Sequence, residues 1–201
     1  MNMNLVPAAA FDSGLLHKEY HERLLSDLPQ LVQKANVPLH AVWSRLSEYC
    51  TTDEVNWVRH LRNTADSGLV FIGKAFKVIP EDKMMAITGA CMRNYTDARI
   101  YAVQEVVARL KSDSMPAPTV LLVPNFCLDK DSGGDMPTWE ITHLMGLLMT
   151  RASKGLKTIL YCSSMASVEK QYGDNFRKHL EAKYSLATPN EVKVLAEEIS
   201  S

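Results

Sequence analysis

The stretch that most constrains the fold is Thr119 to Ser164. Thr119-Val-Leu-Leu-Val123 is apolar and rich in β-branched residues without alternation, the pattern of a strand buried on both faces. It runs straight into Pro124-Asn-Phe-Cys-Leu128. After a polar loop, apolar residues at helical spacing predict an amphipathic helix from about Thr138 to Ala152. Gly155 follows, and Lys157-Thr-Ile-Leu-Tyr161 predicts a second buried strand ending at Cys162-Ser163-Ser164. Strand, helix and strand in that order make a right-handed parallel unit, and ligands of such sheets gather at the carboxyl ends of the strands. The expected fold is therefore α/β, three layers around a mainly parallel sheet.

The rest of the chain extends this unit. Residues 1–11 read as a loose arm, and Ser13 to Lys34 has leucines at helical spacing interrupted by Pro29. That predicts two short helices, or one kinked there, as a helical N-terminal appendage over 1–36. Val37 to Trp43 is a connector, and Thr51 to Leu61 opens with Thr and Asp capping chemistry before an apolar face of Val55, Val58 and Leu61. Ser67 to Gly73 predicts a short buried strand, Pro80 to Arg93 a helix, Ala98 to Val103 a strand, and Gln104 to Lys111 a helix. Ala166 to Tyr184 reads as a helix with a break at Tyr172-Gly173. A core over 37–184 and a short helical tail over 185–201, helical from Asn190 to Ile199, complete the expected organisation.

Composition excludes more than it names. A chain of 201 residues with 46% hydrophobic content buries one substantial core. A formal charge of −1 gives no bulk signature for nucleic acid, although a local basic strip fits inside a neutral total. Cys50, Cys91, Cys127 and Cys162 show no paired spacing, which argues against a zinc site or disulfide framework and for a reducing, cytoplasmic setting. No stretch approaches the ~20 apolar residues of a membrane span, and no signal-peptide pattern opens the chain.

Gly68-Leu-Val-Phe-Ile-Gly73, the strand into Val103-Gln-Glu-Val-Val-Ala-Arg-Leu110, the strand at Thr119, Trp139-Glu140, Arg151, Lys157-Thr-Ile-Leu160 and Tyr172-Gly173 come in a telling order. Together they resemble the DnaC/IstB-like helicase-loader family of AAA+ ATPases over roughly Val37 to Tyr184. The resemblance implies a P-loop-NTPase-like core that binds ATP with Mg²⁺ and single-stranded DNA. Its implied partners are a replicative helicase, a transposase or a related AAA+ subunit, and the sequence leaves open whether the chain also forms an oligomer.

The departures from that pattern are chemical. A phosphate loop reads G-x-x-x-x-G-K-[ST], because backbone N–H groups wrap phosphate while lysine and hydroxyl meet the terminal phosphates and the metal. Here Gly73 has no second glycine after it, the loop counted to Lys83 is longer, and Met84 stands where a hydroxyl belongs. Glu81 and Asp82 place carboxylates at the helix end that attracts anions. By the resemblance, Asn125 and Phe126 stand at the two Walker B acids, Ser163 or Ser164 at the polar sensor, and His179 at the finger arginine, with Arg177 two residues earlier.

Several residues carry two readings. Lys83 is either a phosphate contact or a solvated lysine of a first helical turn. Arg177, Lys178 and Lys183 face DNA or a neighbouring subunit, or else form a solvated helix face. Trp139 is a base-stacking platform or, at an amphipathic helix start, a core or interface anchor. Asp129, Asp131, Gly134 and Glu140 nearly reproduce a calcium loop, yet a strand enters it and Pro137 is poorly placed, so a polar turn is the alternative. Cys162 with His179 is a nucleophile and base only if the fold brings them together; otherwise Cys162 is a buried small side chain. The expectation is an adaptor or loader-type protein that binds no cofactor and catalyses no hydrolysis. The rivals are an active ATPase with a remodelled loop and a structural assembly subunit.

Overall fold

The structure is a computed structural model that describes residues 18–128 and 136–189. Its centre is a five-stranded, wholly parallel sheet in the order β2-β3-β4-β1-β5. The strands are β1 (Gly68–Ile72), β2 (Ala98–Ile100), β3 (Val120–Cys127), β4 (Lys157–Cys162) and β5 (Tyr184–Ala187). Ahead of them come α1 (Lys18–Ala35), a 3-10 turn (Leu39–Trp43), α2 (Leu46–Tyr49) and α3 (Thr52–Arg59). The crossovers are α4 (Pro80–Arg93), α5 (Val103–Lys111) and α6 (Thr138–Ser153), and α7 (Met165–Tyr172) with α8 (Asp174–Lys183) lead into β5.

Three layers follow from strand pleating, which sends successive side chains to opposite faces. Leu69, Phe71, Val120, Leu122 and Ile159 pack on one face with Leu28 of α1, Val58 of α3, and Met84 and Ile87 of α4. Val70, Leu121, Val123 and Leu160 pack on the other with Val106 of α5, Leu144 and Leu148 of α6, and Phe176 and Leu180 of α8. All of these side chains are buried.

Most predicted elements stand where the pattern put them, with three differences. α1 runs unbroken through Pro29, and Leu28 and Ala35 join the apolar layer beneath the sheet. Residues 184–187 form a strand parallel to β1, where a helical tail was expected from 185; the predicted helix over 190–199 lies outside the described residues. Four residues without alternation carry no strand signal of their own, so pairing with β1 decides the outcome. The third difference is β3, which continues past Val123 through Pro124 to Cys127.

That continuation is irregular. Val123 pairs with Leu160 and Cys127 with Cys162, so Pro124, Asn125 and Phe126 face only Tyr161. Pro124 has no N–H to donate to a ladder, and a bulge is where a sheet tolerates it.

Contact between the N-terminal segment and α4 is backbone to backbone. A Cβ on Gly89 would lie 1.9 Å from the Ala41 carbonyl oxygen, so only glycine lets the 3-10 turn approach α4 this closely.

Candidate functional site

The carboxyl edge of β1 and the start of α4 define the place where a phosphate loop would sit. Gly73, at φ +122°, ends β1 and donates its N–H to the Cys162 carbonyl at 3.1 Å. Residues 73–79 then lead into α4, whose first residue is Pro80. Counted from Gly73, the motif would put glycine at 78, lysine at 79 and a hydroxyl at 80. Those positions hold Val78, Ile79 and Pro80. The strand-to-helix spacing thus matches a phosphate loop, contrary to the longer loop obtained by counting to Lys83, while its chemistry is apolar.

Side chains fill the interior of this loop. Phe76 turns back toward the sheet, with its ring centroid 6.0 Å from Phe71 and 6.3 Å from Tyr161, both edge to face. Lys83 lies over both phenylalanines, with Nζ 5.3 Å from the Phe71 centroid and 5.1 Å from Phe76.

Neither sequence reading of Lys83 describes its environment. It is 4% exposed, in the second turn of α4, and Nζ donates to both carboxylate oxygens of Glu54, at 2.7 and 2.8 Å. Glu54 is 5% exposed and caps its own helix, since Oε2 accepts from Thr51 N at 2.8 Å while Thr51 Oγ1 accepts from Glu54 N. The anion facing Lys83 is therefore Glu54 of α3, while Glu81 and Asp82 stand in the first turn of α4. Sequence reasoning missed Glu54 as a site residue, although Thr51-x-x-Glu54 is a readable capping box; its meeting with a lysine 29 residues away is not readable. Met84, the other loop candidate, is wholly buried.

A cavity of about 460 Å³ opens beside this ion pair, with Trp57, Phe76, Cys50, Lys83 and Glu54 among its walls and Ala187 to Pro189 along one side. Pro189 lies against Gly73, so that a Cβ there would meet its ring at 3.0 Å. Burial pushes the Cys50 thiol up to about 12, with Glu54 adding to the shift, so it holds its proton and is no nucleophile.

Both Walker B candidates, in the bulge of β3, are engaged elsewhere than at Lys83. Asn125 Oδ1 accepts from Val103 N at 2.8 Å, satisfying a first-turn donor of α5, and Nδ2 donates to Gln104 Oε1 at 3.1 Å. Phe126, 1% exposed, stacks on Tyr172 at 4.8 Å and tilts against Phe176 at 5.6 Å. The Tyr172 hydroxyl donates to the Phe126 carbonyl. Asn125→Ala is expected to cost about 1 kcal/mol by orphaning the α5 donor, while Asn125→Asp, which still accepts there, stays within about 0.5 kcal/mol. Urea denaturation of the two variants checks this; equal losses would refute the capping role.

Both sensor candidates serve the local fold. Ser163 N donates to the Cys127 carbonyl at 2.8 Å, and Ser164 caps α7 by accepting from Ser167 N at 3.0 Å. Arg177 is ringed by Glu169, Asp174 and Glu181 at 3.1, 2.7 and 2.7 Å, and Lys178 pairs with Asp174 at 2.6 Å. This is the solvated, ion-paired helix face. The His179 ring packs 6.0 Å from that of Tyr184, and burial with nearby Lys183 lowers its pKa. Cys162 is wholly buried and pairs in register with Cys127; burial raises its thiol well above the ordinary range, the opposite of a nucleophile.

Trp139 is 42% exposed, with Lys111 Nζ 4.4 Å from its ring centroid, so it is no core anchor. Glu140 pairs with Lys111 at 3.0 Å. Asp129, Asp131 and Gly134 lie outside the described residues. Among the described residues, no group of three or more His, Cys, Asp or Glu is arranged to hold a metal ion. Among them, too, no helix is long and apolar enough to cross a membrane.

Neither a protein-family model nor a curated protein sequence matches the chain. Solved structures do. A DNA replication initiation factor superposes with a TM-score of 0.53 at 13% identity, covering 77% of this chain and 53% of that one. The DnaC helicase loader gives 0.51 at 13% identity, covering 74% of this chain and 98% of that one. AMPPCP-bound DnaA from Aquifex aeolicus gives 0.52 at 12% identity, covering 77% and 54%. The chain spans about half the length of the initiation factor and of that DnaA. At these identities the likeness is one of fold: an α/β, wholly parallel sheet in the manner of AAA+ P-loop NTPases.

Proposed function

We propose that this chain is a non-hydrolysing, AAA+-like adaptor of the helicase-loader type, acting by protein binding in DNA replication or mobile-element biology. Its partner in this reading is a replicative helicase, a transposase or a related AAA+ subunit, with single-stranded DNA as a further ligand. The observation that carries it is the Glu54 carboxylate seated on Lys83 with both oxygens. A triphosphate reaching that lysine would have to displace a carboxylate that also caps α3, and would meet Val78 and Ile79 instead of a glycine cradle. Support also comes from the β3 bulge, which leaves an amide and a buried ring where a metal would need acids, and from the three carboxylates around Arg177.

Titration of a fluorescent ATP analogue with Mg²⁺ tests this reading. The expected result is no saturable binding up to about 1 mM, the weak end of ordinary ligand affinities. Micromolar binding with turnover, both abolished by Lys83→Ala, would overturn it.

One observation favours the rival ATPase reading: the cavity beside Lys83 is walled by Trp57 and Phe76, rings on which a base would stack. In that case the ion pair opens when nucleotide enters, and Glu54→Gln strengthens binding. A purely structural assembly subunit would instead show one oligomeric state by light scattering, with or without single-stranded DNA.

A further inference from the structure

α3 runs alongside α4. Glu54 meets Lys83 near their starts, and Arg62, just past the end of α3, donates to Thr96 Oγ1 at 2.9 Å just past the end of α4. Between their second halves and α2 lies a groove of about 960 Å³, toward the amino edge of the sheet, sharing only Ser47 with the walls of the cavity beside Lys83.

Its charge is one-sided. Arg45, Arg59, Arg62 and Arg93 line it, with no carboxylate among the lining residues, in a chain whose net charge is −1. Arg59, Arg62 and Arg93 have no carboxylate partner among the described residues, and Arg45 only approaches Glu48, at 4.0 Å with both side chains exposed. Arg93 is held by the Val42 carbonyl, and burial lowers its pKa. Arg62 and Arg93 both stand near Cys91 on the floor, whose thiol burial nonetheless pushes up to about 12. Like charges gathered without counterions repel one another, and an anionic occupant relieves that repulsion.

The floor decides which anion. Leu46, Val55, Val58 and Leu61 line it, and no aromatic ring does. A single-stranded nucleic acid is held by basic grooves that also stack its bases on rings, whereas an amphipathic peptide sets apolar anchors into the groove and charges on its rim. Guanidinium forks on the rim match carboxylates two bonds at a time.

We propose that this groove docks an acidic, amphipathic segment of a partner protein, with leucine-type side chains on the floor and carboxylates on Arg45, Arg59 and Arg62. The docking does not depend on the state of the nucleotide-like site, so nucleotide titrations and groove tests fail or succeed separately.

Fluorescence anisotropy with the full chain tests it, using three labelled probes. These are a 14-residue peptide of glutamate and leucine at helical spacing, the same peptide with serine for leucine, and a 15-nucleotide oligo-dT. The glutamate–leucine peptide is expected to bind at least tenfold more tightly than the serine version. Arg59→Glu with Arg62→Glu should weaken it at least tenfold and leave oligo-dT unaffected. No binding of the first peptide, equal binding of the serine version, or no effect of the double substitution overturns the proposal. So does oligo-dT held more tightly by the same arginines. Should the double variant fail to fold, Arg45→Glu, exposed and outside the Arg62–Thr96 bond, reads out the same contact, with an expected loss of about threefold; an unchanged affinity overturns the proposal.

Discussion

Glu54→Ala is expected to destabilise the protein by about 3–5 kcal/mol, because it leaves a buried ammonium without its counter-charge. Lys83 Nζ has two carboxylate oxygens within 2.8 Å and two phenyl faces beyond them, and its side chain is 5% exposed. With Glu54 gone, the rings supply only a weak cation–π attraction, about 1–2 kcal/mol at best. The lost cap on α3 adds about 1 kcal/mol more. Pairing Glu54→Ala with Lys83→Met should recover much of the loss, since burying neither charge avoids the desolvation cost altogether. Urea denaturation of Glu54→Ala, Lys83→Met and the double variant forms a double-mutant cycle. A cost below about 1 kcal/mol for Glu54→Ala would mean that Lys83 finds water easily, and that the carboxylate is no lasting barrier to phosphate.

The second large effect concerns the strand end. Phe126→Glu restores an acid at one of the positions where the helicase-loader pattern places them, and is expected to cost at least as much as Phe126→Ala, about 3–5 kcal/mol. Phe126 stacks on Tyr172 and tilts against Phe176, these two rings also touching each other, and its carbonyl is engaged by the Tyr172 hydroxyl. A glutamate there loses the ring contacts and buries a carboxylate against aromatic faces within an apolar cluster. The expected outcome is a lowered urea midpoint with no gain of Mg²⁺-dependent nucleotide binding. Retained stability together with such a gain would show that the strand end can reorganise around a metal, and the non-hydrolysing reading would fall.

The layers of the fold were legible because local signals agreed with long-range packing. The uninterrupted apolar runs at β1, β3 and β4, the proline start of α4 and the Tyr172-Gly173 break all stand in the sequence as they stand in space. β5 was not legible, because its four residues are a strand only beside β1. Within the site, the absence of a glycine cradle could be read directly from Val78, Ile79 and Pro80. The identity of the anion facing Lys83 could not, since Glu54 arrives from a separate helix. The arginine groove escaped for the same reason: Arg45, Arg59, Arg62 and Arg93 are spread over 49 positions and converge only when α3 lies along α4. A net charge near zero concealed them.

The bulge between Val123 and Cys127 bears on what a single substitution reaches at this strand end. Point substitutions exchange side chains one at a time, but they leave the count of residues between two paired positions untouched. Here three residues of β3 stand opposite Tyr161, and within that run Asn125 caps α5 while Phe126 joins the aromatic stack. An acid placed at 125 or 126 arrives against α5 or inside the rings, and those engagements must be undone before it can hold a metal.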